Sequence, residues 1–183
     1  MAYHELMIAG TGGRGVLLIG RLLARAGMKQ YEHILFFPNY APAMRGGESE
    51  CTVILSDDPI SSPVMFEPSY AIAMTGSAMA LMEKRVKAGG ALMIDSSVTS
   101  DKVSRDDIEA FYIPASQKAV EVGGGQAANM VFLGAYAANT GAIELDFVEE
   151  ALDDMLQDKS KDTILALNKK AFRDGATLMA DYQ

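Results

Sequence analysis

Leu6-Met7-Ile8-Ala9-Gly10-Thr11-Gly12-Gly13-Arg14-Gly15-Val16-Leu17-Leu18-Ile19 is the stretch on which the fold turns. An apolar run of strand type enters a glycine turn, and an unbroken helical pattern from Val16 to Ala26 leaves it. Strand, glycine turn and helix in that order offer backbone N–H groups and a helix N-terminus to an anion. The residues from Gly10 to Gly15 also fit G-x-G-x-x-G letter for letter. That pattern matches many tight strand-to-helix turns. The surrounding chain must therefore choose among a nicotinamide dinucleotide, another phosphorylated ligand and a bare turn.

Outward from this turn, short apolar runs recur between turn signals. Leu6 to Ala9, His33 to Phe37, Cys51 to Leu55, Tyr70 to Met74, Ala91 to Ile94 and Ala110 to Ile113 read as strands. Several are apolar throughout, as expected of strands covered on both faces. Helical patterns span Val16 to Gln30, Ser77 to Lys87, Ser116 to Val122, Ala127 to Asn139, Asp146 to Gln157 and Asp162 to Asp181. This alternation predicts an α/β fold: a three-layer α/β/α domain filling residues 1–183, without a linker or repeat. The run from Cys51 follows its neighbour with no room for a helix, so the mostly parallel sheet is expected to be mixed. The C-terminal residues form a helical arm with an apolar stripe of Leu152, Leu156, Ile164, Leu167, Ala171 and Leu178. Packing of that arm on the sheet is the plain reading; a partner-binding arm is the alternative.

A nicotinamide site requires an acidic residue at the end of the second strand, to hold the ribose hydroxyls. That position falls at Phe37-Pro38-Asn39, where no carboxylate stands, and Glu32 precedes the strand. The dinucleotide reading is weakened. Arg14 changes what the turn offers, because a guanidinium beside several N–H donors suits phosphate or carboxylate. The alternative is a solvated arginine, or one paired with a neighbouring subunit. A second Gly-plus-Arg segment, Asn39-Tyr40-Ala41-Pro42-Ala43-Met44-Arg45-Gly46-Gly47-Glu48, follows the second strand. Gly46 and Gly47 permit close backbone approach, Arg45 is a bidentate anion donor, and Tyr40 is suited to stacking or to a chain contact. In a parallel sheet both segments leave at the same edge; a surface loop is the other reading.

Composition narrows the classes. A net charge of −8 argues against nucleic acid or an anionic membrane surface as the main partner. One cysteine excludes a disulfide framework or a cysteine-held iron–sulfur cluster within the chain, and two histidines are too few for a histidine metal site. Neither a signal-peptide layout nor an apolar run of membrane-spanning length is visible, so a cytoplasmic location is expected. Cys51 opens an apolar strand with no histidine nearby in sequence and reads as a buried structural thiol. Asp57-Asp58 and Asp95-Ser96-Ser97 follow strands and open turns, where such residues are commonplace, and carry no site in this reading.

Four segments together are similar to one known family. They are Gly10-Thr11-Gly12-Gly13-Arg14-Gly15, Tyr40-Ala41-Pro42-Ala43-Met44-Arg45-Gly46-Gly47, Cys51-Thr52-Val53-Ile54 and Asn129-Met130-Val131-Phe132-Leu133-Gly134. The chain resembles the gamma subunit of the 2-oxoacid:ferredoxin oxidoreductases over nearly its whole length, with one departure: the family usually carries Gln where this chain has Arg14. The resemblance implies a non-catalytic subunit of an enzyme that oxidatively decarboxylates a 2-oxoacid, 2-oxoglutarate being favoured, to an acyl-coenzyme A. It implies alpha, beta and delta (ferredoxin-like) partner subunits, ferredoxin as electron acceptor, and thiamine diphosphate, magnesium and iron–sulfur clusters on those partners. Coenzyme A would then meet Gly10, Gly12, Gly13, Arg14, Gly15, Tyr40, Arg45, Gly46 and Gly47, and the isolated chain could pair with itself through its docking face. The rival readings are a self-contained nicotinamide-dependent oxidoreductase and a small-molecule-binding module that is no enzyme.

Overall fold

A computed structural model describes residues 2–39, 48–156, 162–180 and 182. The chain runs β1 (Tyr3–Thr11), α1 (Val16–Gly27), β2 (His33–Asn39), β3 (Glu48–Ser56), β4 (Tyr70–Ala73), α2 (Gly76–Arg85), β5 (Ala91–Asp95) and β6 (Glu109–Ile113). It ends in α3 (Ala115–Glu121), α4 (Ala128–Thr140), α5 (Leu145–Met155) and α6 (Asp162–Ala180). Every strand and helix expected from sequence is present, with ends shifted by a few residues.

The strands form one sheet in the order β2-β3-β1-β4-β5-β6. β1, β4, β5 and β6 are mutually parallel, and β3 is antiparallel to both β1 and β2. The sheet is therefore mixed, as the short gap before Cys51 predicts. β3 lies between β1 and β2, which a reading by chain order does not foresee.

Burial explains the strand composition. β4 and β5 are buried at every position, because helices cover both of their faces. The two layers are unequal. Leu6, Ile8, Leu55, Ile72 and Met93 face α1, α3, α4, α5 and α6 in one large apolar core. Met7, Ala71, Ala73, Leu92 and Ile94 face Ala78, Met79 and Met82 of α2 in a smaller one. Helix α4 is the centre of the larger core: Asn129 through Ala137 are all buried, so it is apolar all round.

Helices α4 and α6 cross with backbones nearly touching. A Cβ at Gly134 would overlap the Phe172 carbonyl oxygen, and one at Gly175 would overlap that of Val131. Neither position has room for a side chain. The residues that α6 buries there are Ala171, Phe172, Gly175, Ala176 and Met179. Ile164 and Leu167 of the expected apolar stripe do not join them. They lie near the start of the helix, before the crossing, and line a surface cleft instead. Ion pairs Arg25–Asp154 (2.8 Å) and Arg173–Glu149 (2.6 Å) link α1 to α5 and α5 to α6 at exposed positions, where each contributes little.

Candidate functional site

The site is built at the edge of the sheet where β1, β4, β5 and β6 end. β1 delivers Thr11 to this edge, and the chain turns back through Gly12 to Gly15 into α1. Arg14 N–H donates to the Thr11 carbonyl at 3.2 Å, closing the turn. Gly13 (φ 90°) and Gly15 (φ 77°) adopt left-handed backbone that other residues avoid. Gly15 is also the residue before α1, and its carbonyl accepts from Leu18 and Ile19 at 3.1 and 3.2 Å.

The consequence is electrostatic. Among the described residues, the N–H groups of Gly12, Gly13, Gly15, Val16 and Leu17 have no protein acceptor. They are the unpaired donors of a helix start, where the helix dipole adds partial positive charge. Gly12, Gly13 and Arg14 are exposed, so the first of these donors lie at the surface beside the Arg14 cation, while Val16 is buried. Gly10 differs from the others: it is buried, with Met74 Cβ and Val16 packed where its side chain would be. It supports the turn from behind.

Three clefts meet at the glycine turn. One of about 440 Å³ is largely apolar, lined by Leu18, Leu22, Met155, Ile164 and Leu167 with Gly13 and Gly15 at its rim. A second, of about 300 Å³, holds Arg14, Asp95, Ser116 and Gln126. The third, of about 350 Å³, runs over Thr11, Gly12 and Gly13 to Ser49. A larger depression of about 500 Å³ over Met28, Glu32 and Phe36 lies at the far end of α1. It has no glycine turn, and Glu32 there precedes β2, at the opposite edge of the sheet.

Tyr40, Arg45, Gly46 and Gly47 lie outside the described residues. Their flanks sit at the expected edge: Glu48 registers with Thr11, and Asn39 with Glu50. With β3 inserted, the end of β2 is two strands, roughly 10 Å, from the glycine turn. The carboxylate that a nicotinamide site would place beside β1 therefore could not come from β2 even if the sequence held one.

Asp95, which the sequence reading sets aside, and Asn129 both belong to this edge. Asp95, at the end of β5, is only 1% exposed. Its oxygens accept from the Ser97 N–H at 3.0 Å and from Ser116 Oγ at 2.5 Å. Ser116 Oγ in turn accepts from Arg14 Nη1 at 3.4 Å. Asn129 is also buried, and its amide donates to the Gly15 carbonyl at 3.4 Å. The missed signal was positional: an apolar parallel strand ending in Asp delivers that carboxylate to the ligand edge of the sheet.

Cys51 is fully buried against α1, its thiol donating to the Val16 carbonyl at 3.5 Å. Burial, with Glu50 adding to it, pushes the thiol up to about 12, far from a nucleophile's range. Among the described residues no group of His, Cys, Asp and Glu is arranged to hold a metal ion, and no helix is long and apolar enough to cross a membrane.

Comparison with known proteins follows the same lines. The model of the pyruvate ferredoxin/flavodoxin oxidoreductase family matches residues 5–178. The 2-oxoglutarate synthase subunit KorC of Methanothermobacter marburgensis is 33% identical over 187 residues, covering 98% of this chain and 98% of that protein. The ketoisovalerate oxidoreductase subunit VorA of the same organism is 34% identical over 174 residues, covering 94% of this chain and 36% of that one. Among solved structures, the 2-oxoglutarate:ferredoxin oxidoreductase of Magnetococcus marinus, with 2-oxoglutarate, coenzyme A and succinyl-CoA bound, superposes with a TM-score of 0.89 at 25% identity. That match covers 99% of this chain and 32% of the other. The chain thus spans nearly all of one relative and about a third of two others.

Proposed function

The chain belongs to the pyruvate ferredoxin/flavodoxin oxidoreductase family, and from that premise we propose that it is the gamma subunit of a 2-oxoacid:ferredoxin oxidoreductase, binding the phosphates of coenzyme A at its glycine turn. 2-Oxoglutarate is the favoured oxoacid, on the strength of the full-length similarity to KorC. The observation that carries the binding role is that, among the described residues, the N–H groups of Gly12, Gly13, Gly15, Val16 and Leu17 have no protein acceptor, beside the Arg14 side chain at the ligand edge of the sheet. Coenzyme A, which the Magnetococcus marinus enzyme binds, supplies the anions that such a turn accepts.

The proposed division of labour is the one that the family resemblance implies. Thiamine diphosphate, with magnesium, supplies the decarboxylation chemistry on a partner subunit. The single cysteine of this chain is buried, so the clusters that carry electrons to ferredoxin belong to partners as well. Alpha, beta and delta subunits fill those roles in this proposal. What this chain contributes is position. The turn amides and Arg14 hold a phosphate, the adjoining apolar cleft covers an uncharged part of the ligand, and the reacting thiol is thereby delivered to the partner. Arg45, Gly46 and Gly47 supply further anion donors in this proposal. A self-contained nicotinamide enzyme fits less well, because β3 separates β2 from the glycine turn.

Calorimetric titration of the assembled complex with coenzyme A tests the reading. Arg14→Ala and Arg45→Ala should each weaken binding about tenfold, the effect of losing one charge-assisted hydrogen bond. Unchanged affinity in both variants would leave the loops as mere packing against partner subunits.

A further inference from the structure

Arg14 does not stand alone over the second cleft, and the chain of groups beneath it has a fixed direction. Asp95 is buried, and among the described residues its Oδ1 accepts from Ser97 N–H at 3.0 Å and Ser116 N–H at 3.3 Å, while Oδ2 takes Ser116 Oγ at 2.5 Å. An ionised carboxylate only accepts, and a serine hydroxyl has one proton to give. At 2.5 Å the charge-assisted bond to Asp95 claims that proton. Ser116 therefore turns only lone pairs toward the cleft, and there it meets Arg14 Nη1 at 3.4 Å. Ser97 braces the far side, its Oγ accepting from Gln117 N–H at 3.1 Å.

We propose that Ser116, oriented by Asp95, is a positioning residue for Arg14. It fixes one nitrogen of the guanidinium on the cleft wall and leaves the remaining donors for a ligand phosphate. The proposal rests on the coenzyme A reading above. It links two segments more than 100 residues apart, the glycine turn and the start of α3. It also gives Asp95 a role that its place in a common turn motif would not suggest. An Asn at position 95 would keep the two backbone contacts but donate to Ser116 where Asp accepts. The hydroxyl proton would then face Arg14, donor against donor.

The test is a double-mutant cycle on the assembled complex, following steady-state rate against coenzyme A concentration. Ser116→Ala should raise KM for coenzyme A about five- to tenfold, one hydrogen bond's worth, with kcat changed less than twofold. Asp95→Asn should raise KM at least as much, and Ser116→Thr, which keeps the hydroxyl, should stay near wild type. In an Arg14→Ala background the Ser116→Ala change should have no further effect, because the residue it positions is gone. Equal effects of Ser116→Ala in both backgrounds, or a Thr variant as poor as Ala, would overturn the positioning role while leaving the coenzyme A site standing. An Arg14→Ala variant with wild-type KM would overturn this proposal alone, and the coenzyme A reading would fall with it only if Arg45→Ala were equally silent.

Discussion

Two glycine-dependent regions meet helix α4, and they need glycine for opposite reasons. At the α4–α6 crossing, Gly134 and Gly175 have ordinary negative φ and no space: a Cβ on either would overlap the other helix's backbone. At the turn before α1, Gly13 has a positive φ and open space, with nothing within 4 Å of a Cβ. One region uses glycine to exclude volume from a core; the other uses it to bend backbone so that N–H groups face solvent. A glycine in a sequence carries neither meaning until its neighbours in space are known.

Alanine substitutions should separate the two regions cleanly. Gly134→Ala and Gly175→Ala force one helix off the other and should each cost about 3 kcal/mol, the upper part of the overpacking range. For a chain of this size that lowers Tm by roughly 6–12 °C, read by thermal denaturation. A fall of under 2 °C would break the distinction. Gly15→Ala comes next, at about 2 kcal/mol, since it meets both a left-handed backbone (φ 77°) and the Asn129 side chain. Gly13→Ala should cost only about 1 kcal/mol, from backbone strain alone. It should nonetheless weaken coenzyme A binding several-fold by re-aiming the turn amides. Stability and ligand affinity therefore rank the same four variants in different orders.

Cys51 tests the packing side of the comparison through pH, with no change of volume. It sits where α1 approaches β3 at Gly20, whose Cβ would lie 2.7 Å from the thiol sulfur. In the unfolded chain the thiol ionises near its ordinary value of 9.0, whereas folded it keeps its proton to about 12. Above pH 9 the unfolded state therefore releases a proton that the folded state retains. The contribution to stability is complete below that value and is lost as pH rises toward 12. The urea midpoint of wild type should fall relative to Cys51→Ala over that interval, and the native thiol should resist alkylation at pH 8 until the chain unfolds. Rapid native labelling would remove Cys51 from the core.

Much of this architecture was legible in the residues because its signals are local. Each buried strand is a short apolar run between turns, and α4, buried all round, is apolar all round. The glycine turn was legible for the same reason. Strand order was not, because nothing in the residues of β3 says that it slots between β1 and β2. Asp95 and Ser116 were missed for a related reason. They are 21 residues apart, and Ser116 lies 102 from Arg14, so only the sheet brings the three together. Asn129 stood out only as part of a family segment, and its contact with Gly15 depends on where α4 starts against α1. Tyr40, Arg45, Gly46 and Gly47 keep the role their motif suggests as a proposal.

The central claim is that the glycine turn holds a phosphate of coenzyme A. A crystal or electron cryomicroscopy structure of the assembled complex with coenzyme A bound measures it directly. The account predicts a ligand phosphate oxygen about 3 Å from the amide nitrogens of Gly12 or Gly13, with the Arg14 guanidinium on the same phosphate. A bound coenzyme A whose phosphates touch only other subunits, leaving the turn amides to water or to a partner's backbone, would contradict it.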